Sequence, residues 1–329
     1  MLVDELTSLY QRNKLNPTDL ERALVFLSEL ESRIDQNHVI PLESLDMKQL
    51  DDTIHYLVQS KENTVEHFVM LMRYFIVAKR NDLFIHMTQY TGSLGVIQSI
   101  LNKLKKVVGE ERSSLISEHI HIAILGTPLS QMPDYVDQLI NLFKQYLSED
   151  EIKKVLADNH HQIPKEAYVK EKVYYEQANS LDEYLKDLHQ RNIEELKRFQ
   201  SEKRIWYEQE INDQVVEFVS NNQEILSAVR ENNHLLITKI PYDTKAYLEA
   251  KTINEKRYHA CHCPFVKSIL LEDIKHISSL WCHCSGGFTK YQFDILFDKD
   301  LNIELLSSPL QGDDLCRFSI SLDDVEYKK

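Results

Sequence analysis

The spacing of apolar residues predicts helices through about the first 230 residues. After Asn16 and Pro17, a cap residue and a first-turn proline, apolar side chains recur at the three- and four-residue spacing of one helix face: Leu20, Ala23, Leu24, Leu27 and Leu30. Three more helix starts are predicted by polar pairs with the spacing of a capping box: Asn63 with Glu66, Ser148 with Glu151, and Ser180 with Glu183.

The pattern changes near residue 234, where runs typical of strands begin. Four elements are predicted there: strands at 235–240 and 256–263, a helix at 288–297 after a turn at Gly286 and Gly287, and a final hairpin of 301–306 with 316–322. Glycine is scarce, and none falls between Gly126 and Gly286, which argues against turn-rich sheets in that stretch.

These patterns predict a mainly α protein with a C-terminal α+β domain. We expect a helical bundle at 1–100 that serves as an interaction domain, and a helical region at 101–233. A small antiparallel sheet at 234–329 should then pack with helices of the middle region. Strands should be confined to about 234–329.

Charge narrows the range of partners. The chain has a net charge of −14, and none of its segments is basic, so we expect no nucleic-acid partner. It has no run of apolar residues long enough for a membrane span. Because its first residues also lack a basic, apolar leader, we expect a cytoplasmic protein. A homodimer is allowed by these observations.

The cysteines are the least random feature of the chain. All five lie in its last 69 residues. Four of them form two Cys-x-Cys pairs, Cys261 with Cys263 and Cys282 with Cys284, and the fifth is Cys316. On an extended strand the two thiols of a Cys-x-Cys pair point the same way, so each pair can direct both of its thiols at one place. Three interpretations remain open: buried small apolar residues, a zinc site, or a catalytic or redox thiol.

The last 90 residues resemble two groups of proteins. The residues that carry the resemblance are Cys282-His283-Cys284-Ser285-Gly286-Gly287-Phe288, then Glu304, then Gly312-Asp313-Asp314-Leu315-Cys316-Arg317-Phe318. This tail is similar to domains of the bacteriochlorophyll 4-vinyl-reductase type and to L-2-amino-thiazoline-4-carboxylate hydrolase-like proteins. From about Ile237 onward, the chain also resembles uncharacterised bacterial proteins with Cys-His-Cys-Pro and Trp-Cys-x-Cys-Ser.

The resemblance implies a zinc site and a bound small molecule. Some phenol-sensing members of the vinyl-reductase type bind zinc through a cysteine, a Glu-x-x-Cys pair and a final cysteine. Carried over, the ligands would be Cys282 or Cys284, Glu304 and Cys316. Ser307 stands where the cysteine of the Glu-x-x-Cys pair should be, so Cys261 or Cys263 would have to supply the missing thiolate.

Two functions are therefore expected to compete. The first is a small-molecule-binding module with a zinc-containing, cysteine-rich site. The second is a metal- or thiol-dependent hydrolase of a small heterocyclic or amide-like substrate. We expect a carboxylate ligand near Gly286 and Gly287, with Arg257 or Lys256 as its counter-charge. Counting the protein ligands on the metal would separate the two functions.

Overall fold

A computed structural model describes residues 1–34, 40–272 and 275–329 of the chain. Within it the chain forms two compact units. Unit 1 contains residues 1–94 and 123–129, and unit 2 contains residues 95–122 and 130–329. No helix of these described residues is long and apolar enough to cross a membrane.

Unit 1 is a bundle of amphipathic helices. Its helices are α1 (Val3–Arg12), α2 (Pro17–Ile34), α3 (Met47–Gln59), α4 (Val65–Val77) and α5 (Asn81–Thr91), with one 3-10 turn at Leu42–Ser44. The apolar face predicted for α2 turns inward, because Ala23, Leu27 and Leu30 are buried in the core of the unit. Helix α4 is capped by Thr64, one residue after the predicted Asn63.

Unit 2 begins with a second group of helices. They are α6 (Val96–Val108), α7 (Glu110–Ser117), α8 (Met132–Tyr146), α9 (Glu149–Leu156), α10 (Val169–Gln177), α11 (Leu181–Ser201), α12 (Asp213–Ser220) and α13 (Glu224–Ser227), the last a single irregular turn. The two predicted starts are confirmed. Ser148 and Glu151 form a complete capping box on α9, and Ser180 caps α11.

The small sheets also belong to unit 2. The strands are β1 (Ile205–Trp206), β2 (Gln209–Glu210), β3 (Val229–Glu231), β4 (His234–Thr238), β5 (Ile303–Ser307) and β6 (Arg317–Ser321). Strands β1 and β2 form a hairpin, and the other four form an antiparallel sheet in the order β3-β4-β6-β5. Three more helices belong to unit 2: α14 (Thr244–Glu249), α15 (Ile253–Ala260) and α16 (His283–Phe297). Helix α16 packs against β5, and α14 packs against α15.

The predicted fold class is confirmed: the chain is mainly helical, with small antiparallel sheets towards its C-terminal end. The predicted hairpin also forms, since β5 pairs with β6. Three details of the prediction are wrong. Strands begin at Ile205 rather than near residue 234, residues 253–260 form helix α15 rather than a strand, and the predicted Gly286–Gly287 turn lies inside α16.

Candidate thiol site

The five cysteines lie at the ends of elements rather than on one strand. Cys261 is the C-cap of α15, and Cys263 follows it in the loop. Cys282 ends a 3-10 turn, and Cys284 is in the first turn of α16. Cys316 comes immediately before β6. The predicted extended Cys-x-Cys geometry is therefore wrong, because each pair leaves or enters a helix.

Backbone hydrogen bonds bring these separate segments to the end of β4. The N–H of Lys239 donates to the carbonyl of Cys316 (2.9 Å), and the N–H of Asp243 donates to the carbonyl of His259 (3.0 Å). The His262 ring lies against the same segment, with Nε2 2.7 Å from the carbonyl of Ile240. The loop after α15 and the start of β6 therefore meet along residues 239–243.

All five thiols are free and lie close enough together to perturb one another. Burial raises the pKa of each thiol, to about 12 for Cys263 and Cys316. Charge on neighbouring thiols adds to this effect: Cys316 acts on Cys282, and Cys263 acts on Cys284. We call this group, Cys261, Cys263, Cys282, Cys284 and Cys316, the thiol cluster.

The thiol cluster is surrounded by groups that favour thiolates. The indole Nε1–H of Trp281 donates to Sγ of Cys263 (3.2 Å). Burial raises the pKa of Cys282, whereas a hydrogen bond from Ser308 lowers it. At Cys261, burial raises the pKa of the thiol, and the positive charges of Lys267 and Lys239 lower it. The protein has thus placed donors and positive charge around groups that are neutral at pH 7.

Lys267 is an unusual member of this surrounding shell because it is buried. Its Nζ lies 3.5 Å from the ring centroid of Tyr242 and 4.7 Å from that of Tyr258, so two aromatic faces contact the ammonium. Burial lowers the pKa of Lys267 to about 8, although charge on Cys261 and Asp243 acts in the opposite direction. A buried lysine beside thiols is typical of a functional site.

The sixth predicted metal ligand, Glu304, has a different environment from that of the five cysteines. It is on β5 in an exposed position, and its charge acts on His283 and Lys153. Ser307, at the cysteine position of the resembled pattern, donates its hydroxyl to the carbonyl of Leu315 (2.9 Å). Over residues 1–34, 40–272 and 275–329, no group of three or more His, Cys, Asp or Glu side chains is placed so that it could hold a metal ion.

The three predicted ligand-binding residues are placed differently from the prediction. Gly286 and Gly287 are buried within α16, and an added Cβ at Gly287 would lie 2.3 Å from backbone atoms of Asp158. That close helix-to-backbone contact explains the glycine. Arg257 is also buried and donates from Nε to the carbonyl of Pro309 (2.7 Å).

Arg257 also lines a cavity, which is small. The cavity has a volume of about 160 Å³ and is bordered by Ile269 and Leu310. Pockets for drug-sized molecules are usually about 300 Å³ or larger. The cavity beside Arg257 is therefore smaller than the pockets that hold drug-sized molecules.

Two residues of the site, Lys239 and Lys267, were missed from the sequence. A single lysine carries no periodic or spacing signal of its own. The available hint was position, since Lys239 lies in the strand-like run before Pro241 and Lys267 lies four residues after Cys263. Cations near a cysteine motif are the usual means of stabilising thiolates.

Fold and site together define a mainly helical protein with a small antiparallel sheet and a cluster of five free cysteines at the ends of its helices and before β6. The chain belongs to a family of unknown function, DUF6144, whose model matches residues 151–327. The matched region contains all five cysteines, Lys239 and Lys267. No curated protein matches the chain, and no solved structure matches it either.

Proposed function

We propose that residues 151–327 form a small-molecule-binding module whose site is built on the thiol cluster, with zinc as its metal ion. One observation carries the proposal. Five free thiols from three separate stretches of the chain lie near enough to influence one another's pKa, and the ammonium groups of Lys239 and Lys267 act on Cys261. Cysteines that merely fill a core need neither this convergence nor the accompanying charge.

The ionisation of the thiols favours binding over thiol catalysis. With a pKa of about 12, Cys263 and Cys316 are protonated at neutral pH and are poor nucleophiles. A soft metal ion reverses this by displacing the protons. Zinc binding would also have to draw the thiols together through rotamer changes.

The surrounding charges suit a zinc–thiolate site. Four thiolates around Zn²⁺ leave a net charge of about −2, which a buried site must compensate. Lys239 and Lys267 supply two positive charges beside Cys261. The N–H donor of Trp281 resembles the hydrogen-bonded outer partners that orient metal ligands.

The test is metal content in matched variants. The wild type, Cys263→Ser, Cys316→Ser and Glu304→Gln are expressed with added zinc, and their metal is measured by elemental analysis. We expect about one zinc per chain in the wild type. The serine variants should lose it, whereas Glu304→Gln should keep it because that carboxylate is exposed on β5.

Two outcomes would change the conclusion. A folded wild type that takes up no zinc would leave the thiols as buried apolar residues and overturn the metal part of the proposal. If zinc is present, X-ray absorption counts its ligands. Four protein ligands fit the binding module, whereas three with an open position would favour the metal-dependent hydrolase.

A further inference from the structure

A second cavity lies next to the small one beside Arg257. It has a volume of about 440 Å³, and the two cavities share His276, Leu310 and Gln311 as lining residues. Pockets for small molecules usually measure about 300–1,000 Å³, so the second cavity falls within that range. We call it the polar cavity, because Leu310 is the only apolar side chain among its described lining residues.

Three stretches of unit 2 form the walls of the polar cavity. Its lining residues on helix α8 are spaced by four and three residues and so share one face of the helix: Asp137, Asn141 and Lys144. The second wall comes from residues 276–279, which lead into the 3-10 turn that ends at Cys282, and the third from residues 310–311. None of the five cysteines is among the described lining residues, so this cavity is separate from the thiol cluster.

Internal hydrogen bonds fix what the two amides of the cavity can offer a ligand. Nδ2 of Asn141 donates to Oδ1 of Asp137 (3.2 Å), which leaves the Oδ1 acceptor of Asn141 for another partner. Oε1 of Gln311 accepts from the hydroxyl of Ser308 (3.2 Å), which leaves the Nε2 donor of Gln311. One wall therefore presents an acceptor, and another wall presents a donor.

The other polar side chains add groups that can both donate and accept. The hydroxyls of Ser278 and Ser279 line the cavity and have no hydrogen-bond partner within the part of the chain that the structure describes. A hydroxyl both donates and accepts hydrogen bonds. The lining has one ammonium, that of Lys144, and one carboxylate, that of Asp137, so these two charges cancel.

We propose that the polar cavity binds an uncharged, polyhydroxylated molecule the size of a monosaccharide, through the acceptor of Asn141, the donor of Gln311 and the two serine hydroxyls. Each hydroxyl of such a ligand donates and accepts, so it can satisfy both amides. An ionised carboxylate has no proton to donate to Asn141, and an ammonium ion has no lone pair to accept from Gln311. A flat aromatic ligand would lack a stacking partner, because the described lining residues include no Phe, Tyr or Trp.

The test uses D-glucose, D-galactose and D-mannose as probes, measured by saturation-transfer difference NMR at pH 7. Cyclohexanol, a six-membered ring with one hydroxyl, and inorganic phosphate are the reference compounds. Asn141→Leu removes the acceptor on α8, and Gln311→Leu removes the donor; both side chains are exposed. Gln145→Leu is the matched control, since Gln145 is also exposed on α8 but does not line the cavity.

We expect at least one of the three sugars to bind saturably, with a dissociation constant on the order of millimolar. Asn141→Leu and Gln311→Leu should each weaken its binding about fivefold, which corresponds to the loss of one hydrogen bond. Gln145→Leu should leave the binding unchanged. Cyclohexanol should bind at least about tenfold more weakly than the sugar, and inorganic phosphate should not displace the sugar.

Four results would overturn the inference: no saturable binding of any of the three sugars, equal binding of cyclohexanol, displacement of the sugar by inorganic phosphate, or an equal loss of binding in Gln145→Leu. Thermal unfolding of each variant shows whether the fold is retained. If one variant does not fold, the other variant and the comparison of sugar with cyclohexanol on the wild type decide the question. The inference goes beyond the proposed zinc site, and repeating the titration with chelator separates the two, because the sugar should bind with or without zinc.

Discussion

Replacing Gly287 by alanine should destabilise unit 2, even though alanine is the better helix former. Gly287 lies in the second turn of α16, where this helix passes the chain after α9. A Cβ built there would be 2.3 Å from both N and O of Asp158 and 2.7 Å from the carbonyl carbon of Ala157. These are backbone atoms, so a side-chain rotation cannot relieve the contact.

Two energies of opposite sign decide the result. Alanine is favoured over glycine inside a helix by about 1 kcal/mol. Moving the backbone of Asp158 away by about 1 Å resembles overpacking a core, which typically costs about 1–3 kcal/mol and sometimes more. Because Asp158 is also held by an ion pair to Lys103, at 2.8 Å, the chain there resists displacement. Subtracting the helix gain from this cost, we expect a net loss of up to about 2 kcal/mol in the free energy of unfolding.

The neighbouring glycine provides the control. A Cβ at Gly286 would lie 3.2 Å from Cε1 of Phe318 and 3.4 Å from Cδ1 of Ile303, which are side-chain atoms able to shift by tenths of an ångström. Gly286→Ala gains the same helix propensity, so its stability should stay within about 1 kcal/mol of the wild type. The two variants differ only in what the new methyl group meets.

Urea unfolding followed by tryptophan fluorescence measures this difference in the relevant unit. Both tryptophans of the chain, Trp206 and Trp281, lie in unit 2, so their signal reports the unfolding of that unit. Equal stability of the Gly286→Ala and Gly287→Ala variants would refute the packing argument. A stable Gly287→Ala variant that had lost a ligand would instead restore the predicted role of this glycine in binding.

Two further predictions concern the stability of unit 2. Ser148→Ala removes a complete capping box from α9 and should cost about 1 kcal/mol in urea unfolding, whereas the exposed Ser114→Ala on α7 should cost less. The pKa of Lys267 is lowered by burial from 10.5 to about 8. Below pH 8 the wild type therefore buries a charged ammonium in its folded state, a cost that Lys267→Met does not have. Since the unfolded state binds more protons between these values, wild-type stability should rise relative to Lys267→Met from pH 8 to pH 10.5, by about 3 kcal/mol in total. A difference that stays constant over that range would show that Lys267 has an ordinary pKa in the folded protein.

Elements with local signals were predicted well from the sequence. Caps and hairpins depend on side chains only a few residues apart, so their pattern is readable without the fold. Ser148, Ser180 and the β5–β6 pairing are examples. Helix α15 had a local signal that was overlooked. Thr252 and Glu255 form a capping box at its start, but the strand-like composition of 256–263 led to the prediction of a strand.

Tertiary packing decided the features that the sequence could not show. Two adjacent glycines normally weaken a helix, yet α16 continues through Gly286 and Gly287 because Asp158 and Phe318 pack closely on them. The clustering of the cysteines in the sequence indicates a site. However, the approach of β4 to Cys316 depends on strand pairing across about 80 residues. That pairing brings Lys239 into the site, which no local pattern indicates.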